Sequence, residues 1–109
     1  MATTYKVLGQ SNPSATTATT LYTCPALTQT VISTITICNQ AGTSGTYRIA
    51  VRPNGATLAP EHYVVFDAAI GANTTTAYTL GLTIDASDVV TIYASSASMS
   101  FNAYGSEIA

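Results

Sequence analysis

Charge is what this chain has least of: its 109 residues include three basic and five acidic side chains, for a formal net charge of −2. A soluble domain ordinarily charges about a quarter of its residues. Here the surface must be built from hydroxyls and small apolar groups, which set up little repulsion between copies. The cations are Lys6, Arg48 and Arg52. They form no basic cluster, which excludes a nucleic-acid footprint. No apolar run approaches the ~18 residues of a membrane span. The segment Met1 to Lys6 lacks the basic start and apolar core of a secretory leader, so synthesis and assembly are expected in a cytoplasm. Tryptophan is absent and there are two cysteines, Cys24 and Cys38. With no sign of secretion they are expected as reduced thiols in apolar surroundings. Their spacing matches no zinc motif.

Helical periodicity is nearly absent too, and alternation takes its place. Apolar residues make up 47% of the chain, which argues against disorder. Thr4–Leu8 reads as a first strand and Leu21–Cys24 as a second, with Ser11-Asn-Pro-Ser14 as a turn between them. In Thr30–Asn39, Val31, Ile35 and Ile37 share one face with Ser33 between them, and Ile32 and Cys38 take the other. Thr46–Arg52 points Tyr47, Ile49 and Val51 inward and Arg48 and Arg52 outward. Glu61–Ile70 aligns Val64, Phe66, Ala68 and Ile70. Thr74–Ile84 aligns Tyr78, Leu80, Leu82 and Ile84, with Gly81 as a bulge or close-approach point. Val89–Ala94 and Met99–Tyr104 complete about eight strands, and one helical turn is expected near Ala56–Pro60. The fold expected is all-β: a single antiparallel β-sandwich of seven to eight strands, Ig-like or jelly-roll-like, spanning 1–109. Residues 1–20, polar and turn-rich, form an N-terminal arm or exchanged strand in this reading.

The catalytic inventory is thin. His62 could act as a general base oriented by Glu61 or Asp67, but no nucleophile turn and no second base accompany it. It reads better as an exposed strand or interface residue. Asp85 and Asp88 share a turn, offer too few carboxylates for calcium, and suit strand capping by local amides. Asn73-Thr-Thr75 matches a glycosylation sequon and reads as a turn. Among the seven tyrosines, Tyr47, Tyr78 and Tyr93 fall in phase with the core, while others could stack on sugar rings. The expectation is a chain that is no enzyme and has no cofactor or metal.

Long strands with one lysine are poorly guarded at their edges. Self-association or docking onto a larger shell would cover them. Interface candidates are Tyr5, Lys6, Arg48, Arg52, Glu61, His62 and Asp67, with the two arginines on one strand face. The opening Ala2-Thr-Thr-Tyr-Lys-Val-Leu-Gly-Gln10, the strand Tyr47-Arg-Ile-Ala-Val-Arg-Pro53 and the ending Ser100-Phe-Asn-Ala-Tyr-Gly-Ser-Glu-Ile108 carry a resemblance along the whole chain. They resemble small virion structural proteins of tailed phages, particularly cyanophages. That resemblance implies a virion location after assembly in the host cytoplasm. It implies a head decoration (cement) protein that binds the outer capsid and bridges major capsid subunits. The alternative is a tail, baseplate or fibre component that binds host-surface glycans. Partners would be the major capsid protein or other virion proteins, with a trimer as the first expected homo-oligomer and a dimer as the second.

Overall fold

Thr, Val, Ile and Tyr dominate the extended segments because branched and aromatic side chains fit a pleated, half-buried surface. The computed structural model describes residues 2–109. Its strands are β1 (Thr3–Ser11), β2 (Thr19–Thr23), β3 (Gln29–Asn39), β4 (Gly45–Arg52), β5 (Tyr63–Ile70), β6 (Thr74–Tyr78), β7 (Leu82–Ile84), β8 (Val89–Ala94) and β9 (Met99–Ile108). They form two antiparallel sheets. One runs β1-β9-β3-β6 with β7 also on β3, and the other runs β2-β8-β4-β5. The expected β-sandwich is the fold observed.

The pairing is nested. With β6 and β7 counted as one interrupted strand, the first strand pairs with the last, the second with the next to last, the third with the sixth and the fourth with the fifth. A long hairpin folded this way and rolled into two sheets has jelly-roll strand order, and not the ABED/CFG order of an immunoglobulin domain. The loops 24–28, 53–62 and 85–88 gather with the termini at one end, where Ser87 N–H donates to Cys24 O and Ala2 pairs with Ala109. The other four connections meet at the far end. There the buried Asn39 donates to Thr43 O (3.0 Å) and Gly71 O (3.1 Å) and accepts from Ala41 N–H (3.1 Å).

The core lies between the sheets, with Tyr47, Ile49, Ile92, Met99 and Phe101 almost fully enclosed. Tyr47 meets Phe101 edge to face at 6.4 Å and shares a hydrogen bond with the Tyr78 hydroxyl. Desolvation and that bond raise the Tyr47 pKa.

Several sequence expectations are corrected by bulges, which shift the side-chain phase by one residue. In β3 the register slips between Ile32 and Thr34, leaving Ser33 as the extra residue. Thr30 and Ile32 therefore face inward before it and Ile35 and Ile37 after it, while Val31 is only half-buried on the outside. In β5 a shift between Val65 and Ala68 turns Val64 and Phe66 to solvent, while Val65 and Ala68 pack on the core. Tyr93, expected in phase with the core, lies on the outer face between buried Ile92 and Ala94. The Thr74–Ile84 segment is broken: residues 79–81 stand opposite two residues of β3, Gly81 takes φ +63 in open space, so it marks this irregular break and no close approach, and Leu80 is exposed. Helical turns occupy Pro53–Gly55 and Pro60–His62 instead of 56–60, because a proline presets φ at the start of each. Glu61 and His62 consequently belong to a turn, and β5 starts at Tyr63. Residues 3–11 pair with β9 of the same chain as an edge strand, with one register shift between Val7 and Gly9.

Both cysteines are free. Cys24 is buried between the sheets and bonds Thr30 and Thr28, whereas Cys38 sits on β3 next to the inward Asn39 and so faces outward. The five-stranded sheet separates them.

Candidate functional site

The outer face of the four-stranded sheet carries a close cluster of aromatic and charged side chains. Arg48 on β4 and Tyr93 on β8 are cross-strand partners, and β5 flanks β4. The Arg48 guanidinium carbon lies 4.2 Å from the Tyr93 ring centre and 4.3 Å from that of Phe66. Its edge forms a forked pair with Asp67, Nε to Oδ1 at 2.6 Å and Nη2 to Oδ2 at 3.3 Å. Tyr63 stands edge-on to Phe66 at 4.9 Å. A guanidinium between two rings with a carboxylate on its edge has both faces and one fork occupied.

The β5 bulge makes this possible. Asp67 takes φ +51, a left-handed conformation that Asp tolerates better than bulkier residues. That twist sets its carboxylate against Arg48 and leaves Phe66 58% exposed. The Arg48 hydrogen bond holds the Asp67 carboxyl below the usual range and raises the Arg48 pKa. Pro60, Tyr63 and Phe66 line an open hollow of about 430 Å³ beside the cluster. Further along the same face, Arg52 donates to Thr91 Oγ1 and to the carbonyls of Gly55 and Ala56.

The five-stranded sheet presents a second face. Tyr5, Val7, Val31, Ser33, Tyr104 and Ser106 line an open groove of about 510 Å³. Tyr5 is 84% exposed. Beneath it, Lys6 pairs with Glu107 at 3.0 Å, Glu107 accepts from the Tyr22 hydroxyl at 2.5 Å, and that hydroxyl meets Thr30 Oγ1 at 2.8 Å. The Tyr22 bond, followed by Lys6, holds Glu107 below the ordinary carboxyl range against its partial desolvation. Burial raises Tyr22.

A third feature is the 24–28 loop. Leu27 is 94% exposed in a left-handed conformation with φ +57. Leucine gains nothing from that conformation, and here it buries nothing.

Of the residues picked out by sequence, Arg48, Arg52 and Asp67 share one face. Tyr5 and Lys6 belong to β1, and Glu61 and His62 stand in the turn at the termini end. His62 Nδ1 accepts the Ala59 N–H at 3.0 Å and ties down its own turn. Asp67 is engaged by Arg48 and does not orient His62. The Asp88 carboxylate accepts from Asn54 N–H and Asp85 N–H, each at 2.8 Å, which is the amide capping expected of that turn. Sequence reasoning passed over Phe66, Tyr63, Leu27 and Glu107. Glu107 lies 101 residues from Lys6 and had no local signal. Leu27 did have one, an apolar residue inside a Pro-Ala-Leu-Thr turn.

Among the described residues, no group of three or more His, Cys, Asp or Glu is placed to hold a metal, and no helix is long and apolar enough to cross a membrane. No protein-family model, curated protein or solved structure matches the chain.

Proposed function

We propose that this chain is a non-enzymatic virion structural protein, a decoration protein that binds the outside of a phage head and stabilises contacts between major capsid subunits. One observation carries the reading: the charges of Lys6, Glu107, Arg48 and Asp67 are cancelled in ion pairs within the chain, while large apolar side chains stay exposed. Tyr5, Val7, Leu27, Val64, Phe66, Leu80 and Tyr104 are all exposed. A surface of hydroxyls and unpaired apolar groups suits docking better than free diffusion. A ligand that binds only the assembled shell stabilises it by mass action, and many copies add through multivalency. Heads from phage lacking the protein should lose resistance to heat or low salt. Unchanged head stability, with the protein missing from purified heads, would sink the proposal.

A second reading is a tail, baseplate or fibre module that contacts host glycans. The hollow lined by Tyr63 and Phe66 favours it, because exposed aromatic rings can stack on a sugar ring. Labelled protein would then bind host cells, with binding lost in Phe66→Ala. Silence on a glycan array combined with a head location would remove this reading.

A further inference from the structure

The two sheets have four edges, and three are blunted. β5 is bulged at Phe66 and Asp67, the β6–β7 edge is interrupted at Gly81, and β2 is five residues long with its own register shift after Thr20. Bulges, breaks and short strands are the devices that stop sheets from adding further strands. β1 has a shift at Leu8, yet its run from Thr3 to Val7 pairs with β9 without interruption. Its one charge, Lys6, is tied to Glu107 and does not guard the edge.

The hydrogen-bond phase of this run is fixed by its first pair. Ala2 N–H donates to Ala109 O at 2.7 Å and Ala109 N–H returns to Ala2 O at 2.9 Å. Bonded and non-bonded pairs alternate along an antiparallel ladder. Thr4 and Lys6 therefore spend their backbone groups on β9, while Thr3, Tyr5 and Val7 aim N–H and C=O away from the sheet. The residues with free backbone groups are also those whose side chains lie on the outer face with Tyr104.

We propose that two copies of this chain join edge to edge through β1, antiparallel, about a two-fold axis at Tyr5. In that register Tyr5 bonds Tyr5 of the second copy, and Thr3 bonds Val7 of the second copy on each side of the axis. Every outward group from Thr3, Tyr5 and Val7 then finds a partner. Lys6 falls opposite Thr4 of the second copy, so the lysines are never directly paired. The tyrosines meet across the axis on the outer face, an arrangement that favours aromatic cross-strand contact. The product is one continuous sheet through both molecules, with the grooves of both copies on one side. The contact is two-fold, where a trimer was the first expectation from sequence. It stands whether or not the pair then docks on a capsid. A single-strand edge buries less than the ~1,000 Å² of a stable interface, so the pair is weak in solution and strengthens where copies are crowded together.

Sedimentation equilibrium of the purified chain tests this over a concentration series. Average mass should rise from 11.2 kDa toward twice that value. Tyr5→Pro deletes a donor aimed at the second copy and leaves the ladder to β9 intact. It should weaken association at least about tenfold with thermal unfolding unchanged. Should Tyr5→Pro disturb the fold, Tyr5→Cys in a Cys38→Ser background replaces it. Hydrogen-bonded antiparallel partners stand ~5.5 Å apart at Cα, within disulfide range. Oxidation should give a covalent dimer, and Leu27→Cys in the same background should not. A monomer up to the solubility limit overturns the proposal. So does a trimer, or a dimer that ignores Tyr5→Pro and fails to cross-link through Tyr5→Cys.

Discussion

At the residue scale, a few side chains hold positions that cost them something. Leu27 keeps a left-handed backbone while wholly exposed, a conformation that costs an L-residue roughly 1–2 kcal/mol and that Asn adopts more readily. Leu27→Asn should raise the melting temperature, by about 1 kcal/mol of added stability. If the same variant binds purified heads more weakly, Leu27 is a docking anchor. Asn39 is the opposite case, buried with three hydrogen bonds that join the loops at the far end. Asn39→Ala strands two carbonyls and an amide and should cost about 1–3 kcal/mol in a denaturant titration. Glu107 and Asp67 set the acid limb of stability. Both carboxyls have folded pKa values below their unfolded ones. Their contribution is complete above the unfolded carboxyl range near pH ~4.3 and is lost as pH falls through the folded values. Melting temperature should therefore drop on acidification, and Glu107→Gln should flatten that drop. A slope unchanged by Glu107→Gln would place the acid sensitivity elsewhere.

At the element scale, the bulges decide more than strand propensity does. Gly105 stands on β9 where β3 slips past it, and a Cβ there would meet Val31 O at 2.0 Å. That oxygen belongs to the backbone and has little room to give. Gly105→Ala should cost about 3 kcal/mol or prevent folding, whereas Gly42→Ala, with open space around it, should stay within about 0.5 kcal/mol. Comparative melting of the two variants checks this. The same bulges explain where sequence reading failed. Alternation in Thr46–Arg52 was legible because β4 runs through without a bulge of its own, and Tyr47, Ile49, Arg48 and Arg52 all point as expected. In β3 one inserted residue, and in β5 two register shifts, break the alternation, and nothing local distinguishes Ser33 or Asp67 from an ordinary strand residue. A bulge is a property of two strands, not one. The same holds for the Arg48 cluster, which needs β5 beside β4 and β8, and for Glu107 beside Lys6. The charged members were visible as residues, but their pairing waits on topology.

At the scale of the whole molecule, the two loop ends and two outer faces divide the labour. Asn39 and its loops lock one end, while Leu27 and the turn holding His62 occupy the other with the termini. The four-stranded sheet offers an aromatic and guanidinium surface, and the five-stranded sheet a regular open edge at β1. Deletion of residues 99–109 should abolish the fold, read as loss of the β-sheet signal in circular dichroism, because β9 is the one strand between β1 and β3. The nested pairing also orders events in time. A ribosome makes β1 well before its partner β9, so β1 waits through the synthesis of everything between them. Sandwiches closed by such distant pairings fold in roughly milliseconds to seconds. Until β9 arrives, Thr3, Tyr5 and Val7 have no ladder to hold them straight and cannot present an aligned edge. The β1 edge is thus completed only once β9 is in place, although β1 itself is made early.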